Sequence, residues 1–248
     1  MRGFWPIFKR ELFSLFVTPM AWALMLVFLL IQGAHFYLLV FQFATSSGVS
    51  VDQGPIQVFF GESVLVYLPL MLLCPGLTMR LFAEERRSGT IEPLLTAPVS
   101  TPGVVLGKYA AALVAYLAMW APTVLYLVIL RKSGDLDWRV IATSYLGVVL
   151  IGASYLSIGT LASALSTSQL LALVLAAFGI LGLFLVGVGE FVFDSGPLHE
   201  TCAYVSVWGQ MGEFSKGIVD LRRIGFDVTL VALPLFVTVR AVDAWRWG

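Results

Sequence analysis

Six long apolar runs decide what this chain can fold into. They cover about 20–43, 58–79, 104–130, 139–164, 170–190 and 225–241. A bilayer core takes ~20 apolar residues as a helix, so each run is long enough to cross it. The runs are continuous and do not alternate at period two, as barrel strands would. In lipid a continuous apolar segment satisfies its backbone as a helix. Charged residues make up only 12% of the 248, against roughly 25% in soluble domains. The expectation is an all-α integral membrane protein with six transmembrane helices in a single domain, 1–248. Pro69, Pro75, Pro122 and Pro234 fall inside runs, where membrane helices tolerate kinks. The first run is too long for the apolar core of a cleaved signal and has no small-residue cleavage pattern after it.

Six spans put both termini on one side. That side collects Arg2, Lys9, Arg10, Arg80, Arg86, Arg87, Lys108, Arg240 and Arg246. The other collects Arg131, Lys132, Arg139, Lys216, Arg222 and Arg223, and the connection Ala44–Gln57 carries no Lys or Arg. Nine against six favours cytoplasmic termini by the positive-inside rule.

Two amphipathic pieces flank the spans. In "RGFWPIFKRELFSLF", Phe4, Trp5, Phe8, Leu12, Leu15 and Phe16 recur at helical spacing, with Lys9, Arg10, Glu11 and Ser14 elsewhere on the wheel. This predicts an N-terminal interfacial helix within 1–17, either a plain membrane anchor or a helix that also helps hold a partner. On the opposite side, in "GEFSKGIVDLRRIG", Phe214, Ile218 and Leu221 share a helical face. The connection 191–224 is long for a loop without function and reads as short outer helices dipping back between spans five and six.

The charge is concentrated in "RLFAEERRSGTIEPLLTAP", Arg80–Pro98. Arg80, Glu84 and Arg87 lie on one helical stripe with alternating sign. Ser88-Gly89 supplies a stop. A short apolar cross-helix, Ile91–Ala97, ends at Pro98, and Thr101-Pro102 caps the third span. The pattern over 80–102 is a rigid cytoplasmic elbow continuous with a span. Such an elbow transmits force from a soluble partner, whereas a floppy loop absorbs it. An ordinary loop obeying the positive-inside rule accounts for Arg86 and Arg87, but not for the glutamates or the paired breaks.

The segment "LFAEERRSGTIEPLLTAPVSTPGVVLGKYAA" resembles the coupling segment of ABC-2-type transporter permeases. "FKRELFSLFVTPMAWALM" and "FSKGIVDLRRIGFDVTL" resemble the start and the last outer connection of the permeases of gliding-motility-type ABC transporters. Pro93 departs from that pattern, since relatives carry another apolar residue there. The resemblance implies a permease subunit in the bacterial inner membrane, pairing with a second permease subunit, either another copy or a paralogue. It implies a cytoplasmic ABC ATPase dimer that holds ATP and Mg²⁺, with no cofactor on this chain. It also implies an accessory membrane protein with a large outer domain. The coupling residues it points to are Glu84, Glu85, Arg86, Arg87, Gly89, Thr90, Glu92 and Pro98, with Lys9, Arg10 and Glu11 on the interfacial helix.

Other chemistry finds little support. "GVVLGKY", Gly103–Tyr109, has three residues between its glycines and Tyr109 where a phosphate loop needs Ser or Thr. Lys108 therefore reads as an interface anchor that snorkels to headgroups. A six-span membrane hydrolase lacks a nucleophile elbow, since "GASYL" has no second glycine. His35 and Gln32 read as a buried polar pair, and His199 with Glu200 as a solvated loop pair. A secondary transporter usually marks itself with mid-membrane ionisable residues, which are nearly absent. Cys74 and Cys202 are too few and too differently placed for a disulfide framework or a metal site. The zero net charge gives no electrostatic case for nucleic acid.

Overall fold

The computed structural model describes residues 3–45, 54–61, 63–91, 99–131 and 137–245, and they form helices joined by short turns. The N-terminal helix α1 (Phe4–Val17) stops at Thr18, which is extended at φ −76°, ψ 127°, as the residue before a proline must be. Pro19 opens α2 (Pro19–Thr45), the first span. A short helix α3 (Pro55–Gly61) precedes α4 (Val64–Thr78), which leads through a turn into α5 (Ala83–Arg87). The third span is α6 (Thr101–Trp120), a 3₁₀ turn at Ala121–Thr123 containing Pro122, and α7 (Val124–Arg131). Next come α8 (Trp138–Leu165) and α9 (Gln169–Val188), the short helices α10 (Pro197–Val205) and α11 (Val207–Phe214), and the last span, α12 (Leu221–Ala244). Six of these segments are long and apolar enough to cross a membrane. The large apolar side chains left on the outside, among them Leu30, Phe41, Leu170, Phe178, Leu233 and Phe236, suit a hydrocarbon solvent rather than water.

The fourth span, α8, is the hub and packs against α12, α9, α4, α6 and α11. Its small residues make this possible. A Cβ at Gly152 would overlap the Tyr116 ring, and Tyr116 donates from its hydroxyl to the Val148 carbonyl at 2.9 Å. The small-residue face is thus used within the subunit, as helix association in lipid favours. Pro234 lacks an N–H, so the Leu230 carbonyl one turn earlier loses its helical donor. The Ser157 hydroxyl of α8 donates to that carbonyl at 2.7 Å, restoring the bond from a neighbouring helix.

Three elements differ from the sequence expectation. The second span begins at Val64, and 58–61 belong to α3. Ser63 caps α4 by accepting from the Leu65 N–H, and the Tyr67 hydroxyl donates back to Phe60 at 3.0 Å. The amphipathic helix expected through 212–225 does not form as one piece. It ends at Phe214, Gly217 turns at φ 81°, and Asp220 caps α12 by accepting from Arg222 N–H at 2.8 Å. Phe214 is buried, while Ile218 and Leu221 are 54% and 79% exposed, so they share no face. Finally, α6 starts at Thr101 itself, with Ser100 as the capping residue.

The short helices between the fifth and sixth spans do pack back onto the bundle. α11 buries Val207, Met211 and Phe214 against α8 and α3. Gln32 and His35 are buried, yet they are not hydrogen-bonded to each other. The Gln32 amide and His35 Nδ1 have no hydrogen-bond partner among the described residues, and the imidazole stacks on Phe59 at 4.4 Å. His199 Nδ1 meets the Phe193 carbonyl at 2.7 Å rather than Glu200. One membrane carboxylate departs from the near-absence expected. Asp227 is buried in α12 and accepts from the Gln210 amide, about 9 Å along the helix from Leu221 at 1.5 Å per residue.

Candidate functional site

The charged elbow begins where α4 ends. Four turn residues, 79–82, interrupt the helix before α5. The Ser163 hydroxyl fills that interruption. It accepts from the Phe82 N–H at 3.0 Å and the Ala83 N–H at 3.2 Å, and donates to the Met79 carbonyl at 3.2 Å. Donors that the broken helix leaves unpaired are thus satisfied by the fourth span.

Three of the four charges on α5 then reach other elements. Glu84 accepts from the Gln169 amide at the start of the fifth span and from Arg87 at 3.2 Å. Arg86 donates to the Ala164 and Ser166 carbonyls, both at 3.3 Å, and stacks over Trp245 at 4.6 Å. Glu85 Oε1 meets Arg10 of α1 at 2.6 Å and Lys108 of the third span at 3.0 Å. Arg87, Gly89 and Thr90 face outward. The break after α5 is real: Gly89 sits at φ 71°, and the Ser88 hydroxyl donates to the Glu84 carbonyl at 2.8 Å. Glu92, Pro98 and most of the expected cross-helix lie outside the described residues.

The centre of this arrangement is a four-charge cluster that spacing did not reveal. Lys108 is 1% exposed, so it does not snorkel. Its ammonium lies 2.9 Å from Glu11 and 3.0 Å from Glu85, and 5.3 Å from the Phe82 ring centre. Arg10 bridges the same two carboxylates, at 2.6 Å each. Two cations and two anions therefore clamp α1, α5 and α6 together. Glu11 belongs to the inward face of α1 with Ile7 and Leu15, not to the solvent side with Lys9 and Arg10, because α1 lies along α6.

Burial alone would raise the Glu11 pKa; Lys108 and Arg10 outweigh it and hold the carboxyl below its ordinary 4.5. A depressed carboxylate contributes stability above its unfolded pKa and loses it as pH falls through its folded pKa. The thermal midpoints of wild type and Glu11→Gln should therefore differ most at pH 6–7. They should converge as pH falls below 4.5, the ordinary value. A gap that stays constant down to pH 3 would show that Glu11 is not held as an anion.

These features define a multi-pass α-helical membrane protein whose termini-side surface carries a rigid charged elbow joined to the bundle. A family model described as ABC-2 family transporter protein matches residues 11–187. The chain belongs to that family and is a permease subunit of an ABC transporter. No curated protein matches it.

Proposed function

We propose that two such subunits, either two copies or a pair of paralogues, form an ATP-driven export or force-transmitting path in the bacterial inner membrane. Both termini and the elbow face the cytoplasm, as the Lys and Arg bias favours. A cytoplasmic ABC ATPase dimer binds ATP and Mg²⁺ and docks on the outward residues of the elbow. The accessory outer-domain protein that the gliding-type resemblance implies belongs to the same reading. The observation that carries it is the elbow's wiring. One short helix, set off from the second span by the turn at 79–82 and not continuous with it as the sequence suggested, bonds to the N-terminal helix and to the third, fourth and fifth spans, and stacks on Trp245 just after the sixth. A push on α5 therefore reaches the whole bundle, whereas a loop serving only topology needs no such contacts.

Two measurements test this. The purified chain alone should hydrolyse no ATP, and hydrolysis should appear only with a separate nucleotide-binding subunit. Saturable activity in the isolated chain would overturn the assignment. With Cys74 and Cys202 replaced by alanine, a cysteine at the exposed Ser88 should react with an impermeant maleimide only from the cytoplasm. One at the exposed Ser195 should react only from outside. Labelling of both from one side would overturn the six-span arrangement.

A further inference from the structure

The sixth span, α12, meets the elbow at one end and the helices α10 and α11 at the other. Between those ends it packs chiefly on one neighbour, α8. Val228, Leu233, Phe236 and Val237 stay exposed along it, so it can tilt without emptying a protein core.

The elbow grips its C-terminal end. The Arg86 guanidinium stacks 4.6 Å over the centre of the Trp245 ring, and Phe82 meets that ring edge-on at 6.3 Å. Polar bonds staple its N-terminal end to α10 and α11. The Tyr204 hydroxyl donates to the Arg222 carbonyl at 2.8 Å. Arg223 pairs with Glu213 at 2.9 Å and donates to the Ser206 carbonyl at 3.4 Å. One turn further along, the buried Asp227 accepts from the Gln210 amide.

A joint lies between the two ends. At 1.5 Å per residue, Leu230 stands about 14 Å from Leu221 and about 21 Å from Ala244. Pro234 deprives the Leu230 carbonyl of its helical donor. The Ser157 hydroxyl of α8 lies 2.7 Å from that carbonyl and 2.7 Å from the Ser154 carbonyl of its own helix. A hydroxyl has one proton to donate. It serves either the kinked helix or its own, which gives the joint two bonded arrangements. The Ser154 hydroxyl adds a second tie, to the Asp227 carbonyl at 3.4 Å.

We infer that the sixth span is a lever. It pivots on α8 at the Leu230–Pro234 joint and carries elbow movement, delivered through Trp245, to α10 and α11. This rests on the elbow as the place where force enters, and it adds where that force comes out. Adjacent contacts alone do not establish coupling, so the test asks whether one end of the helix answers the other.

Cys202 on α10 is a native reporter. It is 8% exposed, and its sulfur packs so closely on Gly189 that a Cβ there would come within 2.6 Å of it. Movement of α10 with the end of α12 uncovers it. The measurement is the labelling rate of Cys202 by a water-soluble maleimide, on the full-length Cys74→Ala permease in nanodiscs without ATPase. Trp245→Ala should raise that rate at least fivefold. Trp245→Phe, which keeps a ring under Arg86, should stay within twofold of wild type. Ser157→Ala should also stay within twofold, because the staples to α10 and α11 remain. Trp245→Ala/Ser157→Ala should again stay within twofold, because the pivot is gone, and non-additivity of that kind marks coupled sites. Ile7→Ala, on α1 against α6, controls for general loosening and should leave the rate unchanged. An unchanged rate in Trp245→Ala, an equal rise in Ile7→Ala, or a double variant as fast as Trp245→Ala would each overturn the lever. Failure of an ATPase to co-purify, with the Cys202 responses intact, would instead overturn the docking reading and leave the lever standing.

Discussion

Lys108→Met should cost the permease about 3–5 kcal/mol, the usual loss when one partner of a buried ion pair is removed. Two carboxylates, Glu11 and Glu85, would then share a mostly buried site with Arg10 alone. Against a total stability of about 5–15 kcal/mol, that loss should lower the thermal midpoint in detergent sharply and reduce membrane yield. The triple variant Glu11→Gln/Glu85→Gln/Lys108→Met removes the buried charges together and should recover most of the midpoint. Arg10 then faces water, which its 54% exposure already allows. Non-additivity of that size is the signature of groups in one network. The recovered triple variant is also informative about function. It should insert and fold yet transmit poorly, because the polar clamp between α1 and α5 is gone. If Lys108→Met melts as the wild type does, the cluster is not a clamp.

The cluster also shows where sequence reading stops. The six spans were legible because a bilayer imposes length and apolarity on each segment separately. Five of the six need only small changes at their ends, and the second loses 58–61 to a cap that only the Ser63 geometry reveals. The charged helix and the break after it were legible because charge in an apolar chain needs a reason and glycine marks a stop. The partners of that charge were not. Lys108 and Glu11 lie 97 residues apart, and no local pattern joins them. A helical wheel separates polar from apolar residues, but it cannot say whether the apolar stripe faces lipid or protein. In α1, Ile7 faces the bundle while Trp5, Phe13 and Phe16 stay exposed. Glu11 turns inward because a lysine waits there on another helix. Ser163, Ser157 and Gln169 were likewise invisible as partners, since each answers a need created elsewhere: a broken helix, a proline, an elbow carboxylate.

Reversing Glu84 should separate folding from coupling. Its carboxylate is about one-third exposed and pairs with Arg87, itself 63% exposed. Exposed pairs contribute only ~0.2–1 kcal/mol, and losing the hydrogen bond from Gln169 to this charged group adds ~1.5–3 kcal/mol. Glu84→Arg should therefore still insert and fold, with a moderately lowered midpoint. If the elbow docks an ATPase, the same reversal meets a desolvated partner surface, where truncating one member of a charge pair costs ~2–5 kcal/mol. ATPase co-purification or transport-coupled hydrolysis should then fall at least tenfold. Gly89 supplies the matching test of geometry. A Cβ there meets nothing within 4 Å, so any effect of substitution comes from its φ of 71° and not from crowding. Asparagine visits that left-handed region readily, while valine, β-branched, pays ~1–2 kcal/mol or more and tilts the break. Gly89→Asn should couple like wild type and Gly89→Val should uncouple, at equal membrane expression. If Glu84→Arg and Gly89→Val both bind the ATPase and couple normally, the elbow braces the bundle without receiving force.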